Sequence, residues 1–199
     1  MISELAIAVK ENTPKAATRI ELEKLQQVYL NNETKHWATL PIGLDLALYK
    51  AKRANAYYVL VLSDSKVVGY LLVVRSSVDT EFMALKGWTV LYSYLDPKMR
   101  QLGFMRRVYD LIIARGRLIS APVQTPKGMA MWISRIKTDN RHTYVAVTGK
   151  GKVIPVDGHS VDNLKRTVWD GDPKTVLVCA PNQDTKMKNL LAKNKAKQA

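Results

Sequence analysis

The sequence is poor in most residues that announce a particular chemistry. It has one cysteine in 199 residues, Cys179, which excludes an internal disulfide and a cysteine-rich zinc site. Cys179 lies in the apolar run Thr175-Val-Leu-Val-Cys-Ala180, a setting that predicts a buried structural thiol rather than a nucleophile. There are three histidines, His36, His142 and His159, and none is spaced as a metal pair, so no metal is assigned. His36 and His142 stand beside basic or polar residues with no evident carboxylate partner and read as surface histidines. No apolar stretch approaches the ~20 residues needed to span a bilayer. The first ten residues carry Glu4 and lack the cationic start of a secretory signal. A cytoplasmic location without membrane association is expected, although a virion-borne protein would read the same. No internal repeat and no Pro/Gly/Ser-rich linker breaks the chain. Acid is scarce as well: 17 Asp and Glu face 31 Lys and Arg, for a net charge of +14. Such a field attracts polyanions, whether nucleic acid, anionic lipid or a phosphorylated cofactor.

An apolar fraction of 47% is enough to bury a core, and the length suits one domain with a tail. Residues 1–182 are expected to form that domain. Residues 183–199, with Lys186, Lys188, Lys193, Lys195 and Lys197, read as a lysine-rich frayed helix or mobile tail, either simply solvated or a polyanion-binding arm. Hydrophobic spacing predicts a helix over residues 14–31 and another over Gly43–Ala54. Ala56–Ser63 and Lys66–Arg75 read as an antiparallel hairpin turning at Asp64-Ser65. A polar loop over 76–86 and a strand over Trp88–Leu95 follow, the strand stopped by Asp96 and Pro97. A helix is expected over Gly103–Arg115, then a short strand at Leu118–Ala121. Thr125-Pro126 is a cap-plus-proline start for a helix bearing Met129, Trp132, Ile133 and Ile136. A hairpin of 143–148 with 152–156, a short helix near 161–168 and a strand over Thr175–Ala180 complete the pattern. Trp37, Trp88, Trp132 and Trp169 are expected in the core or half-buried. Arg135, Lys137, Arg141, Lys150 and Lys152 read equally as a basic stripe after the Met129–Ile136 helix or as a solvated face, with too little aromatic interleaving for a base-stacking platform.

The segment that carries chemistry is Tyr94-Leu-Asp-Pro-Lys-Met-Arg-Gln-Leu-Gly-Phe-Met-Arg-Arg-Val-Tyr109. It places a strand, a short basic turn and a helix in succession. A helix start exposes unpaired N–H groups and the positive end of the helix dipole. A glycine there lets a phosphate approach the backbone, and Arg100, Arg106 and Arg107 add positive charge. The segment suits a pyrophosphate.

With the order of elements around it, Arg100-Gln101-Leu102-Gly103-Phe104-Met105 resembles the Arg/Gln-x-x-Gly-x-Gly/Ala motif of the GNAT (GCN5-related) N-acetyltransferases. Met129–Ile136 is similar to that family's next helix. The resemblance covers about forty residues in motif and most of 15–180 in element order. It implies an α/β (α+β) fold with a mixed, mostly antiparallel central sheet flanked by helices. It further implies acetyl-CoA as cofactor, and transfer of an acetyl group to an unidentified amine. Tyr94, Leu95, Arg100, Gln101, Leu102, Gly103, Phe104 and Met105 would bind the cofactor. The family's reaction needs no nucleophilic residue, only a base and stabilisation of the developing charge. Asp96, acting through water, is a candidate base, with Glu81 and Asp79 as others; Tyr144 and Ser134 are fallback proton donors. Two positions depart from the family pattern: Met105 replaces Gly or Ala, and Trp132 stands where a general-acid tyrosine often occurs. Indole does not release a proton as phenol does. These departures imply an alternative, a catalytically inactive structural or nucleic-acid-associated protein of the kind found among bacteriophage and bacterial accessory proteins.

Overall fold

The computed structural model describes residues 15–40, 43–51, 56–122, 124–158, 168 and 172–198. The helix expected near 161–168, His159 and Trp169 lie outside the described residues. The described elements are α1 (Lys15–Leu30), β1 (Lys35–Leu40), β2 (Leu44–Lys50), β3 (Ala56–Ser63), β4 (Lys66–Asp79), β5 (Ala84–Leu95), a 3-10 helix (Pro97–Leu102), α2 (Phe104–Ala114), β6 (Leu118–Ile119), α3 (Pro126–Thr138), β7 (His142–Val147), β8 (Val153–Val156), β9 (Val176–Pro181) and α4 (Thr185–Gln198). The strands are hydrogen-bonded in the order β1-β2-β3-β4-β5-β6-β9-β7-β8. β5 and β6 run parallel, while β1–β2, β2–β3, β3–β4, β6–β9, β7–β8 and β7–β9 are antiparallel. The protein is therefore of the mixed α/β class with a mostly antiparallel sheet, as expected.

The chain forms two compact units, Met1–Arg75 with Val90–Val108, and Ser76–Thr89 with Tyr109–Ala199. In the first unit the β1–β4 meander packs Ala47, Leu60, Leu62, Val67 and Tyr70 around Leu25 of α1. Gly69 of β4 is required by packing: a Cβ there would lie 2.7 Å from the Tyr94 carbonyl oxygen and 2.8 Å from Leu95 Cδ1. Tyr49, Tyr58, Tyr70, Tyr92 and Tyr94 form a row of rings across the strands, with neighbouring centroids 5.7–6.2 Å apart. The second unit's core joins Leu85, Ile119, Val145, Val147, Val153, Val176 and Val178 with Met187 and Leu190 of α4.

Two expected elements differ from the structure. Gly43–Ala54 is not a helix, because Leu44–Lys50 is strand β2, in register with β3 from Asp45↔Leu62 to Lys50↔Tyr57. Its leucines and alanine are good helix formers, but pairing with a β-branched, aromatic neighbour overrides propensity. The polar loop over 76–86 is mostly strand: β4 extends to Asp79 and β5 begins at Ala84, leaving a tight turn in which Thr80 Oγ1 accepts from Phe82 N at 3.2 Å and Met83 N at 3.0 Å. The lysine-rich segment 183–199 is largely helix α4, anchored by buried Met187, Leu190 and Asn194. β1 was unanticipated. No helix among the described residues is long and apolar enough to cross a membrane.

Candidate functional site

The strand–turn–helix segment belongs to the first unit. β5 ends at Leu95, which is buried, with Tyr94 half-buried against Tyr70. Asp96 N then donates to Val68 O at 2.9 Å. The Asp96 side chain caps the 3-10 helix, Oδ1 accepting from Lys98 N at 2.9 Å, and Pro97 takes the first helical position, where no N–H is needed. Gly103 closes the turn with φ 60° and ψ 15°, a left-handed conformation in which glycine is unstrained. An added Cβ at Gly103 meets nothing within 4 Å, so the backbone faces open space. Phe104 and Val108 are fully buried and anchor the start of α2, whereas Arg106 and Arg107 are exposed and Met105 is half-buried. The side chains of Arg100, Gln101 and Leu102 lie outside the described part of the structure.

In the second unit, the parallel ladder of β5 with β6 joins Trp88 to Leu118 and Thr89 to Ile119. Beyond it, Ser120 N turns to Leu177 O of β9 at 2.8 Å. Thr125 caps α3 as expected, its Oγ1 accepting from Gly128 N at 3.1 Å. Trp132 is 2% exposed, a core residue of that helix.

The proton-transfer candidates each have an occupation of their own. Asp96 is the cap described above. Glu81 forms an ion pair with Lys197, and its N donates to Gly151 O at 3.0 Å. Asp79 and Ser134 are exposed. Tyr144, 4% exposed, donates its hydroxyl to Asp139 Oδ2 at 2.7 Å. Burial and the hydrogen bond to Asp139 push its pKa far above the usual phenol range. Tyr144 thus holds its proton tightly.

Around Tyr144 lies a polar cluster that was not anticipated. Arg135 Nη2 donates to Asp110 Oδ1 at 2.7 Å and to Asp139 Oδ2 at 3.3 Å. Arg141 Nη2 donates to Asp110 Oδ2 at 2.7 Å, and Arg141 N to Asp139 Oδ1 at 2.9 Å. His142 Nδ1 lies 2.7 Å from Asp139 Oδ2. Because a carboxylate can only accept, His142 carries its proton on Nδ1 in this pair. Two readings are corrected here. Arg135 is not part of a solvated face but is 3% exposed, and the His142 side chain is only 10% exposed and has a carboxylate partner. The Asp139 side chain is wholly inaccessible. Burial tends to raise its pKa, but hydrogen bonds from Tyr144, His142 and Arg141 N outweigh this and hold it at about 2. Asp110, Asp139 and His142 offer ligand atoms within 4.8 Å of one another. Two guanidinium groups already balance the two carboxylates, so the group reads as an ion-pair network rather than a cation site. The Arg-x-x-x-Asp spacing at the end of α3 was a local signal, since i,i+4 partners share a helix face. Asp110, far away in sequence, gave none. Cys179 is buried as expected, and burial raises its thiol to about 12, which leaves it inert.

Comparison with known proteins adds little. No protein-family model matches the chain, and no curated protein sequence matches it. Among solved structures, a chain titled as an acetyltransferase from the GNAT family of Bacteroides thetaiotaomicron is similar at 10% identity. The match covers 89% of this chain and 90% of that one, with a TM-score of 0.35. A likeness this weak supports no step of the functional argument, which rests on the residues and their geometry.

Proposed function

We propose that the protein binds acetyl-CoA through the segment Tyr94–Met105 and transfers the acetyl group to an amine. The observation that carries this reading is the open turn at Gly103. It is a left-handed glycine with free space beside it, it directly precedes an 11-residue helix, and Arg106 and Arg107 stand exposed in that helix's first turn. Backbone N–H groups, helix dipole and guanidinium charge then converge on one anion. Arg100 and the backbone of Gln101–Met105 hold the diphosphate, and the end of β5 at Tyr94 and Leu95 holds the pantetheine arm. The amine attacks the thioester carbonyl, the C–N bond forms as the C–S bond breaks, and the CoA thiolate takes up a proton as it leaves. Asp96, at the end of β5, accepts the amine proton through water. Glu81 and Tyr144 are weaker candidates, being committed to Lys197 and Asp139.

Calorimetric titration with CoA tests the reading. The wild-type protein binds, and Gly103→Trp weakens binding at least about tenfold by blocking the backbone approach. Absence of CoA binding by the folded wild type overturns it. The buried Trp132 and the engaged Tyr144 favour a second reading, an acyl-CoA binder without transfer. CoA binding with no release of thiol from acetyl-CoA across a panel of amines selects that one.

A further inference from the structure

Helix α4 carries five lysines and no acidic residue. At about 100° per residue its side chains fall into four strips. Met187, Leu190 and Asn194 form the buried strip. On one side of it runs a row of Lys186, Lys193 and Lys197, and on the other a row of Lys188 and Lys195, all exposed. The outward strip between the rows is Thr185, Asn189, Ala192 and Ala196, also exposed. The helix thus presents a low ridge of short side chains with a cationic rim on each side.

Both ends of α4 are fixed. Asp184 Oδ1 accepts from Met187 N at 2.9 Å and from Arg117 Nη2 at 2.7 Å. Lys197 pairs with Glu81 and lies over the Phe82 ring, 5.9 Å from its centroid. No carboxylate pairs with Lys186, Lys188, Lys193 or Lys195 among the described residues. A helix selected only for solubility gains by interspersing Glu at i±4, and α4 has none.

We propose that α4 is a docking helix for duplex DNA. Its ridge enters the major groove, and the two lysine rows reach the phosphates on either side. A helix about 10–12 Å across matches a groove about 12 Å wide. Short ridge side chains let the helix seat deeply. The lysine rows contact phosphates as point charges, and such backbone contacts carry no sequence preference of their own. The geometry disfavours a bilayer, because an interfacial helix needs an unoccupied apolar face, and that of α4 is already in the core. It also disfavours duplex RNA, whose major groove is too narrow. The inference is independent of the acyl-CoA reading.

Fluorescence anisotropy with a labelled DNA duplex of about two helical turns, at salt from about 50 to 200 mM, tests the proposal. The wild type binds, and the logarithm of its affinity falls linearly with the logarithm of salt. K186Q/K188Q/K193Q/K195Q lowers affinity at least about tenfold at low salt and reduces the slope by about 3.6, at roughly 0.9 for each phosphate left without its lysine. K24Q/K35Q/K50Q/K66Q, which removes the same charge from exposed sites of the first unit, leaves the slope unchanged. Ala192→Trp, which fills the ridge without changing charge, weakens duplex binding while circular dichroism shows the fold intact. Four results overturn the proposal: no duplex binding by the wild type at low salt, equal losses in the two quadruple variants, equal affinity for an RNA duplex, or equal affinity for phosphatidylserine vesicles.

Discussion

The segments Asp96–Met105 and Asp139–Tyr144 are each built on one aspartate at a boundary between a strand and a helix. Asp96 ends β5 and caps the 3-10 helix through one hydrogen bond to Lys98 N. Next to it Pro97 and Lys98 are exposed and Met99 is half-buried, and Gly103 opens on free space. Asp139 ends α3 just before β7 and is fully inaccessible, with Tyr144, His142, Arg135 and Arg141 N all directed at it. The same side chain thus does two jobs, and burial decides which. In the open turn, polar atoms remain available to a ligand. In the closed cluster, they are consumed by one another, and the return is stability.

That contrast breaks first at Asp139. Asp139→Asn is nearly isosteric, but it removes the charge and turns an acceptor into a donor that faces other donors. Loss of one partner of a buried ionic group costs about 3–5 kcal/mol. Urea denaturation followed by circular dichroism is expected to show a loss of that size. A loss under about 1 kcal/mol would mean that burial of this carboxylate holds nothing together.

The second test is acid. The folded pKa of Asp139 is about 2, below the unfolded value of roughly 3.9. Its contribution is fully present above the unfolded value and is lost as pH falls through the folded one. About 3 kcal/mol should disappear between roughly pH 5 and pH 1. Asp139→Asn should flatten that part of the stability profile, as read by urea denaturation across this pH range.

The two segments also differ in how far the sequence disclosed them. Asp96, Pro97 and Gly103 act through local backbone chemistry, so capping, strand termination and the glycine turn could be read directly. Thr125-Pro126 was legible for the same reason. The sheet was legible where strands are β-branched and aromatic, as in Ala56–Ser63. It was not where Leu44–Lys50 carries helix-forming residues whose state is set by pairing with Tyr57–Leu62. The Asp139 cluster depends on Asp110, 25 residues before Arg135, and on a strand pairing that sets Tyr144 opposite Cys179. Neither relation leaves a local mark, so His142 reads as a surface residue, and the i,i+4 spacing of Arg135 and Asp139 alone does not place Arg135 inside. The α4 helix shows the converse. Its lysines were obvious, but only burial of Met187 and Leu190 reveals that they are two rows on an anchored helix.

The smallest effect belongs to the open turn. Gly103→Ala places a Cβ in free space, so its cost is purely that of holding a non-glycine residue at φ 60°, about 1 kcal/mol. Asparagine tolerates the left-handed region better, and Gly103→Asn should lose about half as much. This pair separates folding from binding at the turn. If Gly103→Asn is nearly as stable as wild type yet binds CoA more weakly, the loss reports crowding of the phosphate against the backbone. If CoA affinity instead tracks stability across both variants, the glycine serves the turn alone, and the contrast between an open, ligand-ready segment and a closed, structural one fails at its first term.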